Sequence, residues 1–488
     1  MIFDKFIQQI IDEKKKNTTR SILMQFVGML VFLIIWNIDL GLELKAHRFL
    51  AIFSYVICQW LFSSVQLYIS GVIGVCLTVL TGVATPNEAF SAFGNPILFL
   101  FLGGFLLARG MESLGLDKKL SLFILSNKLI NGDFKRTYLA MLLLTAIFSM
   151  WVSNTATMAM MLPISLGIIK SFKIKKKETK GVLLLGIAYA ATVGGLGTPI
   201  GSPPNIIALG MLKELASIDF SFLDWTSIGL PLVGIFLIVI YYYSILRIKE
   251  PISNLQGNFI EEEMKKTGEL GPNEYRVMLL FALTVILWFL PSISALILGK
   301  THELSILFKA RLNPGVVAMV TGCLLFILPT FSKDKLLKKE DLMKIDWGSL
   351  LLFASGLSLG STLFATGLAE LAGNAVVTSL GSLNFKLLLI GTVVATIMAT
   401  ELTSNTAAAN ILIPIMIAAA LKSGFSPLYS TLAVAISCNL AFMLPVATPP
   451  NAIVYGSGEV KLSQMIRSGW ILNIVGIVVI SLGILFVA

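Results

Sequence analysis

The tripeptide Ser-Asn-Thr stands twice in the chain, at Ser153-Asn154-Thr155 and at Ser404-Asn405-Thr406. Each copy is followed by Ala and, further on, by Pro163-Ile164 or Pro414-Ile415. These side chains are neutral and offer both donors and acceptors. Their donors suit a carboxylate, and their oxygens suit a small hard cation. A second motif also occurs twice. Pro199-Ile200-Gly201-Ser202-Pro203-Pro204-Asn205 parallels Pro445-Val446-Ala447-Thr448-Pro449-Pro450-Asn451. Proline lacks an amide hydrogen and clashes with a continuing helix, so each Pro-Pro predicts a broken helix, near Gly201 and near Ala447. A lone Ser-Asn-Thr ordinarily caps a helix and a lone Pro-Pro ordinarily marks a loop. Two copies of both, inside apolar sequence, point to a paired binding site.

The copies are in register. Six of the twelve positions from Ser153 to Ile164 are identical at an offset of 251, and Thr145 and Ser149 match Thr396 and Thr400. Four of the seven positions from Pro199 to Asn205 are identical at an offset of 246. Two matches in one order at nearly one offset indicate duplication.

The elements that position these motifs lie in a membrane. The chain has 488 residues, 56% hydrophobic and 13% charged, against about 25% charged in soluble domains. Spans are expected at about 21–38, 49–63, 66–83, 95–110, 183–213, 226–246, 276–293, 312–330, 347–366, 428–456 and 468–487, near the length that crosses the hydrocarbon. The run 21–38 is too long for a signal-peptide core and lacks a small-x-small cleavage site. The net charge of +10 does not indicate nucleic acid. With the N-terminus in the cytoplasm, connections 1–20, 109–136, 170–180, 247–276, 333–344 and 457–467 fall inside and hold 29 of the 37 Lys and Arg. The C-terminus then lies outside. Trp36, Trp60, Trp225, Trp288, Trp347 and Trp470 fall near span ends, as interfacial rings do, whereas Trp151 lies beside the first Ser-Asn-Thr. Cys58, Cys76, Cys323 and Cys438 read as small packing residues. With only His47 and His302 in polar connections and no HExxH motif, an intramembrane enzyme is disfavoured.

The charge count closes only if 137–170 and 385–421 each enter and leave on one side. Both are expected as re-entrant helical hairpins, opening inward and outward respectively, with a Ser-Asn-Thr at each tip. The fold class is thus an all-α polytopic membrane protein of about eleven transmembrane segments plus two hairpins, in an inverted-topology repeat. Interrupted helices in corresponding positions of two halves point to a transporter's binding site. Four half-helices would start near one point, their free amides and positive dipole ends facing an anion. No Lys, Arg or His lies in either motif, so co-bound cations are expected to balance that anion. A channel would need a pore open at both ends, which oppositely facing hairpins fit less well. Glu401 is open between two roles, a functional intramembrane carboxylate and an acceptor of backbone amides near the tip. Gly194-Gly195-Leu196-Gly197 reads as close packing or backbone freedom, since no Lys-Ser/Thr follows to make a phosphate loop.

These motifs, with GSPPN in the first half and LPVATPPN in the second, resemble the divalent anion/sodium symporter family, the INDY-like dicarboxylate transporters. The resemblance covers nearly the whole chain. It implies a homodimer in the plasma (cell inner) membrane whose scaffold holds the dimer while a transport domain moves as an elevator. It divides the chain into a first scaffold part (1–136), a first transport part (137–246), a second scaffold part (247–366) and a second transport part (385–488). It implies one sodium site at Ser149, Ser153, Asn154 and Gly201, and another at Thr400, Thr403, Asn405 and Ala447. Substrate carboxylates would meet Asn154, Thr155, Asn405 and Thr406, with Ser202, Thr448 and Pro449 completing the pocket. Thr448-Pro449 resembles the C4-dicarboxylate branch more than the sulfate branch. Some relatives exchange without sodium, a basic side chain replacing the cation. Thr400 and its neutral neighbours favour symport. The implied partners are Na⁺ as coupling ion and a small dicarboxylate, with no other cofactor.

Overall fold

The computed structural model describes residues 26–62, 65–127, 129–130, 132–252, 259–328, 336–379 and 385–487. Lys14 to Lys16, the connection 1–20 and its expected cytoplasmic placement lie outside these residues. The regular elements of the described residues are all helices, without a strand. The chain runs through α1 (Phe26–Asn37), α2 (Leu44–Phe62), α3 (Leu67–Leu80), α4 (Pro86–Ser91), α5 (Pro96–Ser113) and α6 (Leu116–Leu125). There follow α7 (Phe134–Ser149), α8 (Asn154–Ser171), α9 (Lys177–Gly194), a 3₁₀ turn at Pro199–Gly201, α10 (Pro203–Ala216) and α11 (Phe222–Leu246). Next come α12 (Phe259–Thr267), α13 (Pro272–Ile297), α14 (Glu303–Arg311), α15 (Pro314–Ile327), α16 (Lys339–Leu342), α17 (Trp347–Ala365) and α18 (Leu368–Ser379). The last five are α19 (Phe385–Thr400), α20 (Asn405–Lys422), α21 (Pro427–Cys438), α22 (Pro449–Gly456) and α23 (Leu462–Val487).

Both Ser-Asn-Thr segments break their helices. α7 and α8 are separated by residues 150–153, and α19 and α20 by residues 401–404. Shifting α7 and α8 by 251 residues lands on the bounds of α19 and α20. The Pro-Pro breaks fall where proline chemistry requires. α9 stops at Gly194 and α10 starts at Pro203, while α21 stops at Cys438 and α22 starts at Pro449. The second break begins well upstream of Ala447, so a longer stretch, 439–448, leaves the helix than the sequence reading expected. The helix after each Ser-Asn-Thr break packs on a helix that follows a Pro-Pro break, α8 against α22 and α20 against α10.

Six stretches among the described residues are long and apolar enough to cross a membrane, including Phe222–Leu246, Pro272–Ile297 and Leu462–Phe486. α14 and α15 form a further pair bent by 60°. The other expected spans are shorter, broken or interrupted by charge. Phe26, Leu30, Leu279, Ile286, Val478 and Phe486 are exposed, as lipid-facing side chains are. Trp60, Trp225 and Trp288 are buried, and their indole N–H groups donate to the carbonyls of Leu67, Leu196 and Pro314, because a buried indole needs an acceptor. Trp347 and Trp470 remain exposed.

Five of the basic connections meet. Arg109 pairs with Asp341 at 3.0 Å, Lys118 with Glu263 at 2.8 Å, Lys119 with Glu274 at 2.5 Å and Lys180 with Glu459 at 3.8 Å. The amides of Lys175 and Lys176 donate to Glu250. Connections 109–136, 170–180, 247–276, 333–344 and 457–467 are thereby tied into one group. A separate set joins other connections: Lys309 with Asp219, Lys422 with Glu370, and Asn95 with Glu214. None of these contacts links the two sets. Five of the basic connections therefore form one chain of contacts.

Candidate functional site

Ser149 ends α7 and is fully buried. Its hydroxyl lies 2.7 Å from Asn154 Oδ1 and 2.6 Å from the Ala191 carbonyl. One hydrogen thus serves two acceptors, leaving an oxygen cluster short of donors. Gly195 stands beside it. A Cβ there would come within 2.8 Å of Asn154 Oδ1 and 3.0 Å of the Gly201 carbonyl, so only glycine leaves this cradle open. Ser149, Asn154 and Gly201 are brought together around Gly195, and their oxygens fit a small hard cation. Ser153 caps α8, its Oγ accepting from the Ala156 amide at 3.2 Å. The glycine run is close packing too: a Cβ on Gly194 would meet the Ala146 carbonyl at 2.4 Å.

In the second half, Ser404 caps α20 by accepting from the Ala407 amide at 3.4 Å. Thr400 is buried and donates to the Ile397 carbonyl at 3.1 Å, and Thr403 donates to that of Ala399 at 3.0 Å. Asn405 Oδ1 is buried with no protein partner, an acceptor open to a cation or a donor. Ala447 is buried, its amide donating to the Leu444 carbonyl at 3.2 Å. No recorded hydrogen bond joins Thr400, Thr403, Asn405 and Ala447 directly. Of the expected pocket residues, Ser202 and Thr448 are buried, Thr406 is half-buried, and Thr155 and Pro449 are exposed.

Glu401 resolves toward its backbone role. Its carboxylate accepts from the amides of Phe442 (2.8 Å), Met443 (2.9 Å) and Leu444 (3.1 Å) and from Asn473 Nδ2 (2.7 Å). The break between α19 and α20 thereby holds the unwound stretch 439–448 and ties it to α23. A charged acceptor meeting three free amides is the strong form of such a bond.

The sequence reading gave no side-chain role to Asn205 and Asn451. Asn205 Nδ2 donates to the carbonyls of Gly195 (2.7 Å) and Thr198 (2.8 Å), ten and seven residues back. Asn451 Nδ2 donates to those of Ala441 (3.4 Å) and Leu444 (3.0 Å), again ten and seven back. Each asparagine closes its helix break by the same pair of bonds, and its presence in both motif copies was the available signal. Asn439 was missed for the opposite reason, since it matches nothing in the other half.

A helical membrane protein whose helices break at neutral, oxygen-rich segments that pack on one another has the make-up of a transporter. Two solved transporters share the fold. The Alcanivorax borkumensis YdaH transporter superposes with a TM-score of 0.52 at 14% identity, covering 84% of this chain and 88% of that one. Neisseria gonorrhoeae MtrF, described as illuminating a class of antimetabolite efflux pumps, gives 0.55 at 13% identity, covering 83% and 84%. Residues 15–487 match the family described as sodium:sulfate symporter transmembrane region. The chain belongs to that family, and it is a transporter, not an enzyme. Curated relatives include an uncharacterized transporter of Haemophilus influenzae, 34% identical over 93% of this chain and 94% of its own. The sodium-dependent dicarboxylate transporter SdcS of Staphylococcus saprophyticus is 32% identical over 97% and 93%. SdcS of Staphylococcus aureus strain MRSA252 is 31% identical over 100% and 95%.

Proposed function

We propose that this chain is a sodium-coupled symporter of C4-dicarboxylates such as succinate, malate and fumarate. The observation that carries the reading is the donor-poor cluster of Ser149, Asn154, Ala191 and Gly201 oxygens around Gly195. A cation there supplies the positive charge that the neutral tips lack for a bound dianion. The relatives named sodium-dependent dicarboxylate transporters support the same ion and substrate class.

In this reading Ser149, Ser153, Asn154 and Gly201 hold one Na⁺, and Thr400, Thr403, Asn405 and Ala447 hold the other. Asn154, Thr155, Asn405 and Thr406 meet the carboxylates, beside Ser202, Thr448 and Pro449. Residues 137–170 and 385–421 act as re-entrant hairpins of an inverted repeat. The equal helix bounds at the offset of 251 and the matched Asn205 and Asn451 clamps support the repeat. The transport parts carry the site past the scaffold of a homodimer, within eleven segments with the N-terminus inside and the C-terminus outside.

The test is uptake of radiolabelled succinate into proteoliposomes. The expected result is accumulation driven by an inward sodium gradient. Uptake indifferent to sodium but dependent on internal dicarboxylate would replace symport with exchange. Competition by citrate, 2-oxoglutarate or sulfate, stronger than by malate, would move the substrate assignment to that anion.

A further inference from the structure

Ser202 and Asn439 lie on the two broken helices, and their hydrogen-bond polarity is fixed by the backbone. Asn205 is set first. Its Nδ2 donates to the Gly195 and Thr198 carbonyls, which can only accept. Its Oδ1 therefore faces away and accepts from Asn439 Nδ2 at 2.9 Å. Asn439 Nδ2 also donates to the Ala435 carbonyl at 2.9 Å. Turning the Asn439 amide over would set its oxygen against two acceptors. Asn439 Oδ1 thus faces Ser202, whose hydroxyl donates to it. A serine hydroxyl has one hydrogen and two lone pairs. With that hydrogen committed, Ser202 Oγ offers a ligand lone pairs only.

The matching position in the other half is built differently. Thr448 Oγ1 accepts from the Asn451 amide at 3.4 Å, which leaves its hydrogen to give. The counterpart of Asn439 at the offset of 246 is Val193, which cannot bond. Asn451 Oδ1 is accordingly buried without a protein partner, where Asn205 Oδ1 has one. The two halves, alike in their motifs, thus present a donor at Thr448 and an acceptor at Ser202. A carboxylate oxygen is itself an acceptor and gains nothing from Ser202.

We propose that Ser202 is a specificity-determining residue that accepts a hydrogen bond from a hydroxyl on C2 of a C4-dicarboxylate, and that Asn439 is the positioning residue that makes it an acceptor. This rests on the reading that the tips bind a dicarboxylate. A site built to bond a substrate hydroxyl discriminates against the analogue lacking it. The hydroxylated acid is therefore favoured over the unsubstituted one.

The experiment measures KM for radiolabelled malate and succinate in proteoliposomes at saturating sodium, with K0.5 for sodium measured alongside. Wild type is expected to show the lower KM for malate. In Ser202→Ala the ratio of succinate KM to malate KM should fall by about three- to tenfold, the worth of one neutral hydrogen bond. In Asn439→Ala the Ser202 hydrogen is released to face the substrate, and the ratio should fall as well. If Asn439→Ala does not fold, Ser202→Ala decides alone. An equal rise in both KM values in Ser202→Ala would overturn the proposal. So would a changed K0.5 for sodium with an unchanged ratio, which would give the acceptor to the cation. Wild-type protein that takes up neither acid would remove the dicarboxylate reading itself, and the proposal with it.

Discussion

At the scale of single residues, the amides of Asn154 and Asn405 carry the account. Asn154 Oδ1 shares the Ser149 hydrogen, and Asn405 Oδ1 has no protein partner. Asn154→Ala removes one oxygen of the proposed first cation site, and Asn405→Ala removes one of the second. Either change should lower sodium-driven uptake at least about tenfold, as loss of a buried polar contact to a charged ligand does. The dissolved protein should keep its melting temperature within a few degrees. Wild-type uptake in either variant would contradict the site. Gly195→Ala is a second probe, because its Cβ would enter the cradle between Asn154 and Gly201. It should raise K0.5 for sodium more than KM for substrate. The residue types of this site were legible in the sequence because they occur twice. Asn439 was not, because an asparagine in an apolar run acquires its meaning only from the carbonyls that surround it.

At the scale of elements, the Pro-Pro breaks were legible because proline forbids a continuing helix whatever surrounds it. The extent of the second break was not. Residues 439–448 leave the helix because Glu401, forty-odd residues away, accepts the amides they free, and such a partner has no local sequence sign. Glu401→Gln keeps the size but turns one acceptor oxygen into a donor facing the amides. It should destabilise the purified protein by on the order of 3 kcal/mol, since unsatisfied buried donors cost about 1–3 kcal/mol each. Asn473→Ala, which removes a single donor to Glu401, should cost less. A Glu401→Gln melting curve equal to wild type would contradict the clamp. The short polar helices α6, α12, α14 and α16 also escaped the sequence reading, which sought long apolar runs and left basic stretches as connections.

At the scale of the whole molecule, charge distribution was the most legible feature, and ion pairs join five of the basic connections it placed together. Contacts of α12 with α6 and α8 join those connections to the first Ser-Asn-Thr helix, with Phe259 filling the space beside Gly167. Hydrogen bonds from Lys118 and Lys266 hold the Glu263 carboxyl down at about 2. A depressed carboxylate contributes its stability above its unfolded value and loses it as pH falls through the folded one. The α12 contact should therefore be indifferent to pH from about 5 to 8 and weaken only in strong acid. Glu263→Gln should raise hydrogen exchange across 259–267 at neutral pH, and unchanged exchange would contradict the pairing. The proposed dimer and elevator rest on relations between bodies and bilayer that one chain's residue pattern does not encode. The central claim, that cation and dianion share one neutral site, makes the two bindings thermodynamically reciprocal. Calorimetric titration of the purified protein with succinate, in sodium and in choline at equal ionic strength, tests it most directly. The account predicts that succinate affinity rises steadily with sodium and is lost in choline, whereas an affinity that ignores sodium would contradict it.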